Sequence, residues 1–143
     1  DHSPAADEEK DNETRDIWKA WGGLNAIQYF LPMMFDMVVH QKNLSPTLIA
    51  KVMDYNPAKI FGFYGRKGAF ELGFDGDVVI LDPEKEWKCE QDKLYTKGHV
   101  SCFDGFEGKG APTCTIIRGR VVAKDGKYLE EANGYGEYVT PIQ

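Results

Sequence analysis

At Gly65 the apolar residues change their period, and that change limits the folds open to this chain. Before it, Leu24, Ile27, Phe30, Leu31, Met34, Phe35 and Val38 recur every three or four positions, the repeat of one helix face. Pro32 inside that run is expected to kink it. A second helix start is written at Ser45-Pro46, a capping hydroxyl followed by a proline whose missing N–H costs nothing in the first turn. Asn56-Pro57 repeats the signal, and Gly62 suits a C-terminal cap. After Gly65, glycines at 68, 73 and 76 punctuate the chain, and short β-branched runs take over. The pattern predicts helices over 24–40, 46–54 and 57–61. Strands are expected over 77–81, 113–117 and 120–123, with turns at Arg118-Gly119 and 124–127. Asp82-Pro83 is expected to close the first strand, and 94–110 to be irregular. Residues 1–16, rich in acids, read as an exposed loop.

Helices followed by strands suggest the end of one unit and part of another. Three or four strands leave edges that need partners. The chain has 143 residues, and 42% of them are hydrophobic, enough for one real core. A net charge of −6 argues against binding nucleic acid or an anionic membrane, both of which call for Lys and Arg. The longest apolar stretch is interrupted by Gln28, Pro32 and Asp36, so it is not a membrane span. Cys89, Cys102 and Cys114 form no CxxC pair and are odd in number, which fits free thiols in a reducing compartment. With no secretory leader at the start, a cytoplasmic location is expected. The chain opens on a motif rather than a Met, so further residues are expected upstream.

Several short motifs carry chemistry. Asp1-His2-Ser3-Pro4 offers a carboxylate at the start of a loop. Trp18-Lys19-Ala20-Trp21-Gly22-Gly23-Leu24 sets two tryptophans and a glycine pair before a helix, which suggests a close backbone approach to a ligand or a neighbour. The commoner reading of Trp18 and Trp21 is as core aromatics. Asn56-Pro57-Ala58-Lys59, Gly65-Arg66-Lys67-Gly68 and the run GFDGDVVILD from Gly73 follow in order.

That ordered set resembles the cyclic amidohydrolase family from Asp1 to about Lys127, and AWGGL is similar to its allantoinase branch. The resemblance implies an α/β fold: residues 1–64 as the C-terminal end of a (β/α)8 barrel, and residues 65–143 as part of a small β-sandwich with a tail. It implies two divalent metals, expected to be Zn²⁺, bridged by a carboxylated lysine that is absent here. Asp1, at the end of the last barrel strand, is implied to be both a metal ligand and the catalytic base. It would take the proton of the attacking hydroxide and pass it to the leaving amide nitrogen. Lys19, Trp21 and Gly22 are implied to contact substrate. The substrate is then a cyclic ureide, allantoin opening to allantoate, with dihydropyrimidinase or hydantoinase as the alternative. Dihydroorotase is third, because its loop reads DHAP. A non-catalytic, structural relative of dihydropyrimidinase is a further alternative. Partners implied are the missing N-terminal barrel and sandwich strands and, by resemblance, copies of the chain in a tetramer. The family's HxH pair, lysine and two further histidines are missing. His2, His40 and His99 read as structural or solvated, so this chain alone is expected to be inactive.

Overall fold

A computed structural model describes residues 2–10, 13, 14 and 16–142. A helical layer comes first: α1 (Asp7–Lys10), α2 (Ile27–Phe35), α3 (Thr47–Ala50) and α4 (Asn56–Ile60). An antiparallel sheet follows, made of β1 (Val78–Lys88), β2 (Glu107–Ile117), β3 (Arg120–Lys124) and β4 (Lys127–Tyr128) in the order β1-β2-β3-β4. Among the described residues, parallel pairing occurs only at two isolated bridges, His2 with Leu24 and Tyr64 with Lys67.

The helices depart from expectation where prolines and side-chain ties intervene. Residues 24–26 are not helical, because Leu24 pairs with His2 and the buried Asn25 donates its amide to the Gly98 and Val100 carbonyls (2.7 and 2.8 Å). Pro32 sits buried inside α2. The change of winding comes after it, in a π-helical turn at Asp36–Gln41. There the Asp36 carboxylate accepts from the Gln41 side chain (2.6 Å) and from the Lys109 N–H (2.9 Å) of β2. Likewise α3 runs through a π turn, Lys51–Tyr55, directly into α4 rather than stopping at Asn56. Pro57 cannot donate to the Met53 carbonyl, and a widened turn precedes it.

The Ser45-Pro46 start lies one residue from expectation and the Gly62 stop falls as expected, whereas Asn56-Pro57 starts no new helix. Ser45 Oγ accepts from the Thr47 N–H (3.3 Å). At the end of α4, Gly62 N–H bonds Lys59 O (3.3 Å) and Phe63 N–H bonds Ala58 O (2.7 Å), the two bonds of a Schellman cap.

Both later strands begin or end beyond expectation. β1 does not close at Pro83. Its register runs from Asp82–Ala111 to Glu86–Lys109, so residues 83–85 bulge out and the ladder resumes. β2 starts at Glu107, inside the stretch read as irregular. Arg118 (φ 45°) and Gly119 (φ 78°) make the two-residue turn into β3, and Asp125 (φ 49°) and Gly126 (φ 76°) make the next, both in the doubly positive form that suits the strand twist.

One core joins the two layers. Phe35, Val38 and Ile49 are buried, and Leu31, Met34, Val39, Met53 and Leu81 of β1 pack against them. Gly110 of β2 lies directly under the Phe35 ring. Beside this core runs an apolar groove of about 880 Å³ between α3–α4 and β1–β2. Much apolar surface is left open elsewhere: Phe70 is 88% exposed and Leu72 fully so.

A charged pin closes one end of the groove. Arg66 Nε and Lys67 Nζ meet Asp75 at 2.9 and 2.8 Å, Lys67 also pairs with Asp77, and Asp77 accepts the Arg118 N–H at 2.8 Å. The hydrogen bond from Lys67, aided by Arg66, holds the Asp75 carboxyl below its ordinary value of 3.8. A depressed carboxylate stabilises the fold above its unfolded pKa, and the contribution is lost as pH falls through the folded one. Asp75→Asn should therefore lower the thermal midpoint near neutral pH, and the gap to wild type should close in acid below about 3.8. A gap that persists unchanged into strong acid, or is absent at neutrality, would show that Asp75 does not act through its charge.

Candidate functional site

Asp1 lies outside the described residues, but the chain that follows it is closely held. The Ser3 N–H bonds the Leu24 carbonyl at 3.0 Å. His2 Nδ1 accepts from the N–H groups of Ala26 (3.2 Å) and Ile27 (3.3 Å), so the imidazole caps the start of α2. This is the structural role expected of His2. His40 is tied by Nε2 to the Pro83 carbonyl (2.9 Å), and the backbone N–H of His99 bonds Asp7 Oδ1 (2.8 Å).

The segment 16–24 faces solvent. Trp18 is 93% exposed and Trp21 57%, so neither is the core aromatic that composition favours. Trp21 donates its indole N–H to Ser3 Oγ at 3.4 Å. Lys19 reaches Asp16 at 4.0 Å. A Cβ on Gly22 would meet no atom within 4 Å, whereas one on Gly23 (φ +93°) would stand 2.2 Å from Ser3 Cβ. The close backbone approach expected at the glycine pair is thus real at Gly23, and its neighbour is Ser3. Trp21 and Gly23 come together with Ser3, while Gly22 and Lys19 stay on the open side.

Sequence reasoning missed Lys10. Its ammonium donates to three successive carbonyls, those of Trp21 (2.9 Å), Gly22 (3.2 Å) and Gly23 (2.5 Å). A lysine in a run of acids reads as solvated, and no local pattern marks a contact made eleven or more residues away. The short helix α1 was also unforeseen. It is fixed by Asp7, whose carboxylate accepts the N–H groups of His99 (2.8 Å) and Val100 (3.2 Å).

The amidohydrolase family model matches residues 13–122. The chain belongs to the amidohydrolase family. It is 38% identical over 140 residues to the L-hydantoinase of Paenarthrobacter aurescens, covering 98% of this chain and 30% of that protein. It is 34% identical over 141 residues to the allantoinase of Rubrobacter xylanophilus, with 99% and 30% covered. The solved L-hydantoinase (dihydropyrimidinase) from Arthrobacter aurescens superposes with a TM-score of 0.77 at 38% identity, over 80% of this chain and 26% of that one. The chain therefore spans about 30% of the length of the curated relatives it matches.

Amidohydrolases generally bind divalent metals. Among the described residues, no three His, Cys, Asp or Glu side chains converge as a metal site would require. The described part does not by itself fit a metal centre. The three thiols are free, and burial pushes the Cys89 thiol up, away from reactivity. No helix among the described residues is long and apolar enough to cross a membrane.

Proposed function

We propose that this chain is the C-terminal part of a metal-dependent cyclic amidohydrolase that opens the ring amide C–N bond of a cyclic ureide. The observation that carries this reading is end-to-end similarity: the chain aligns over 97% or more of its length with hydantoinase, allantoinase and dihydroorotase, yet spans only 30% of each. On this reading residues 1–64 finish a (β/α)8 barrel and residues 65–143 belong to a small β-sandwich. The exposed apolar residues and the open edge of β1 support missing N-terminal strands as the cover. The tetramer implied by the family belongs to the same proposal.

Divalent ions, held by Asp1 and by ligands elsewhere in the longer protein, would make water more acidic and polarise the amide carbonyl. Asp1 accepts the proton of the attacking water and returns it to the leaving nitrogen. On this reading Trp21, Gly22 and Lys19 contact the substrate ring, Trp21 from beside the loop that follows Asp1, where it bonds Ser3 Oγ, and Gly22 and Lys19 from the open side. Allantoin is the substrate suggested by AWGGL. Hydantoin is the second reading, favoured by the higher identity to an L-hydantoinase than to an allantoinase.

The test compares the full-length protein with the 143-residue chain, each supplied with Zn²⁺ and offered allantoin, hydantoin and dihydropyrimidines. The full-length protein should turn over at least one of them. The chain alone should hydrolyse none and show no tight zinc binding by calorimetry, since a single carboxylate cannot replace the three or four ligands zinc takes. Turnover by the isolated chain, or none by the full-length protein, would overturn the reading.

A further inference from the structure

Among the described residues, Lys10 is the cation that gathers a run of backbone. We propose that Lys10 is a positioning residue: its ammonium sets the 21–24 backbone so that the N–H groups of Gly22 and Gly23 face the substrate. The proposal rests on the functional reading above, because it needs a cyclic amide bound beside Asp1.

In a trans peptide the C=O of one residue and the N–H of the next point in opposite directions. Three consecutive carbonyls, on Trp21, Gly22 and Gly23, turn towards Lys10 Nζ at 2.9, 3.2 and 2.5 Å. The N–H groups of Gly22, Gly23 and Leu24 are thereby turned away from it. Among the described residues, the Gly22 and Gly23 N–H groups donate to no acceptor. They are free donors, next to a backbone pinned on Ser3 by contact at Gly23 and by the Ser3–Leu24 hydrogen bond.

The arrangement also answers a chemical need. A ring opened at its amide carries further carbonyl oxygens that must be held while it reacts. Bare N–H groups on side-chain-free residues suit flat carbonyl oxygens without crowding the ring. A flexible glycine pair would pay for that openness in lost order. Lys10 removes the freedom with charge-assisted hydrogen bonds, which are short and strong. It is itself anchored: the Trp21 N–H bonds the Glu9 carbonyl at 2.8 Å, and Asp7 fixes α1 to residues 99 and 100. Lys10 touches no reacting atom on this reading. Its action is to hold donors in place, which belongs to binding rather than to the proton transfer carried by Asp1.

The experiment uses the full-length, metal-loaded protein and two readouts. Lys10→Met keeps the stem and removes the donors. It should raise KM for the substrate that wild type turns over by at least about ten-fold, with kcat changed by less than about three-fold and metal content unchanged. Amide hydrogen exchange at residues 21–24 should quicken by about ten-fold while β1–β3 keep wild-type protection. Lys10→Arg keeps the charge but spreads its donors over a plane, so it should recover only part of the KM. If Lys10→Met fails to fold, Lys10→Arg carries the test: a smaller rise in KM with faster local exchange supports the proposal, and wild-type values for both overturn it. Unchanged KM with unchanged exchange in Lys10→Met likewise overturns it, as does a thermal loss with KM intact. A wild-type protein that hydrolyses no cyclic amide sinks the functional reading instead. The exchange data then decide the clamp alone, faster exchange upholding it and unchanged exchange ending it.

Discussion

Asp1→Asn in the full-length protein should lower kcat on its cyclic amide by about 10²–10⁴-fold or more, the usual worth of a general acid–base group. The substitution keeps size and a ligating oxygen but removes charge and basicity. The amide cannot accept a proton from water, and it cannot deliver one to the nitrogen that leaves. KM should change much less, because the proton moves in the transition state and not on binding. The backbone that follows it is already committed. Residue 2 caps α2 and residue 3 is paired to residue 24, so the substitution should leave that loop in place. Turnover and metal content must be measured on the same sample. An Asn variant with its metals in place and near-normal turnover would show that Asp1 is not the base.

Gly110→Ala should have the largest effect on stability. At φ +93° an L side chain is strained, and its Cβ would stand 2.1 Å from Cδ1 of Phe35, a ring at the centre of the only core cluster among the described residues. Strain and overpacking together should cost about 3 kcal/mol or more. That is a large share of an ordinary domain's total, and it should lower the thermal midpoint by roughly 10 °C. Gly105→Ala is the control. Its φ is +81°, but nothing lies within 4 Å of the new Cβ, so it carries the backbone strain alone. Pairing Gly110→Ala with Phe35→Leu should return part of the loss, since neighbouring sites are not additive. Equal losses at Gly110 and Gly105 would mean that the Phe35 contact does not matter.

Local chemistry was the legible part of this sequence. The Ser45-Pro46 start, the Gly62 stop and both Gly-containing hairpin turns act over four or five residues, and each lies where the residue types require it. The family was legible too, from motifs in order. What escaped was every feature decided by a distant partner. Gly108 and Gly110 read as loop punctuation, yet they sit in a strand because Asp36 and Phe35 press on them from α2 and the turn after it. Pro83 reads as a stop, yet the bulge it occupies lets β1 continue. At the site, the glycine pair announced itself by composition. The ammonium that organises it did not, because its three acceptors are backbone atoms and backbone is the same in every sequence.

The tie from Asp7 to residues 99 and 100 bears on the order of assembly. The sheet is a meander of near neighbours, and such hairpins close quickly. Residues 2–10 must instead meet two places at once, one some twenty residues away and the other about ninety. Closing the longer loop is rewarded only after the second place exists. Native-state hydrogen exchange should accordingly show residues 2–10 opening below the global transition, while β1–β3 remain protected. On the proposed function, the first segment to leave is the one that follows the catalytic carboxylate, so activity should fail on heating before the fold does.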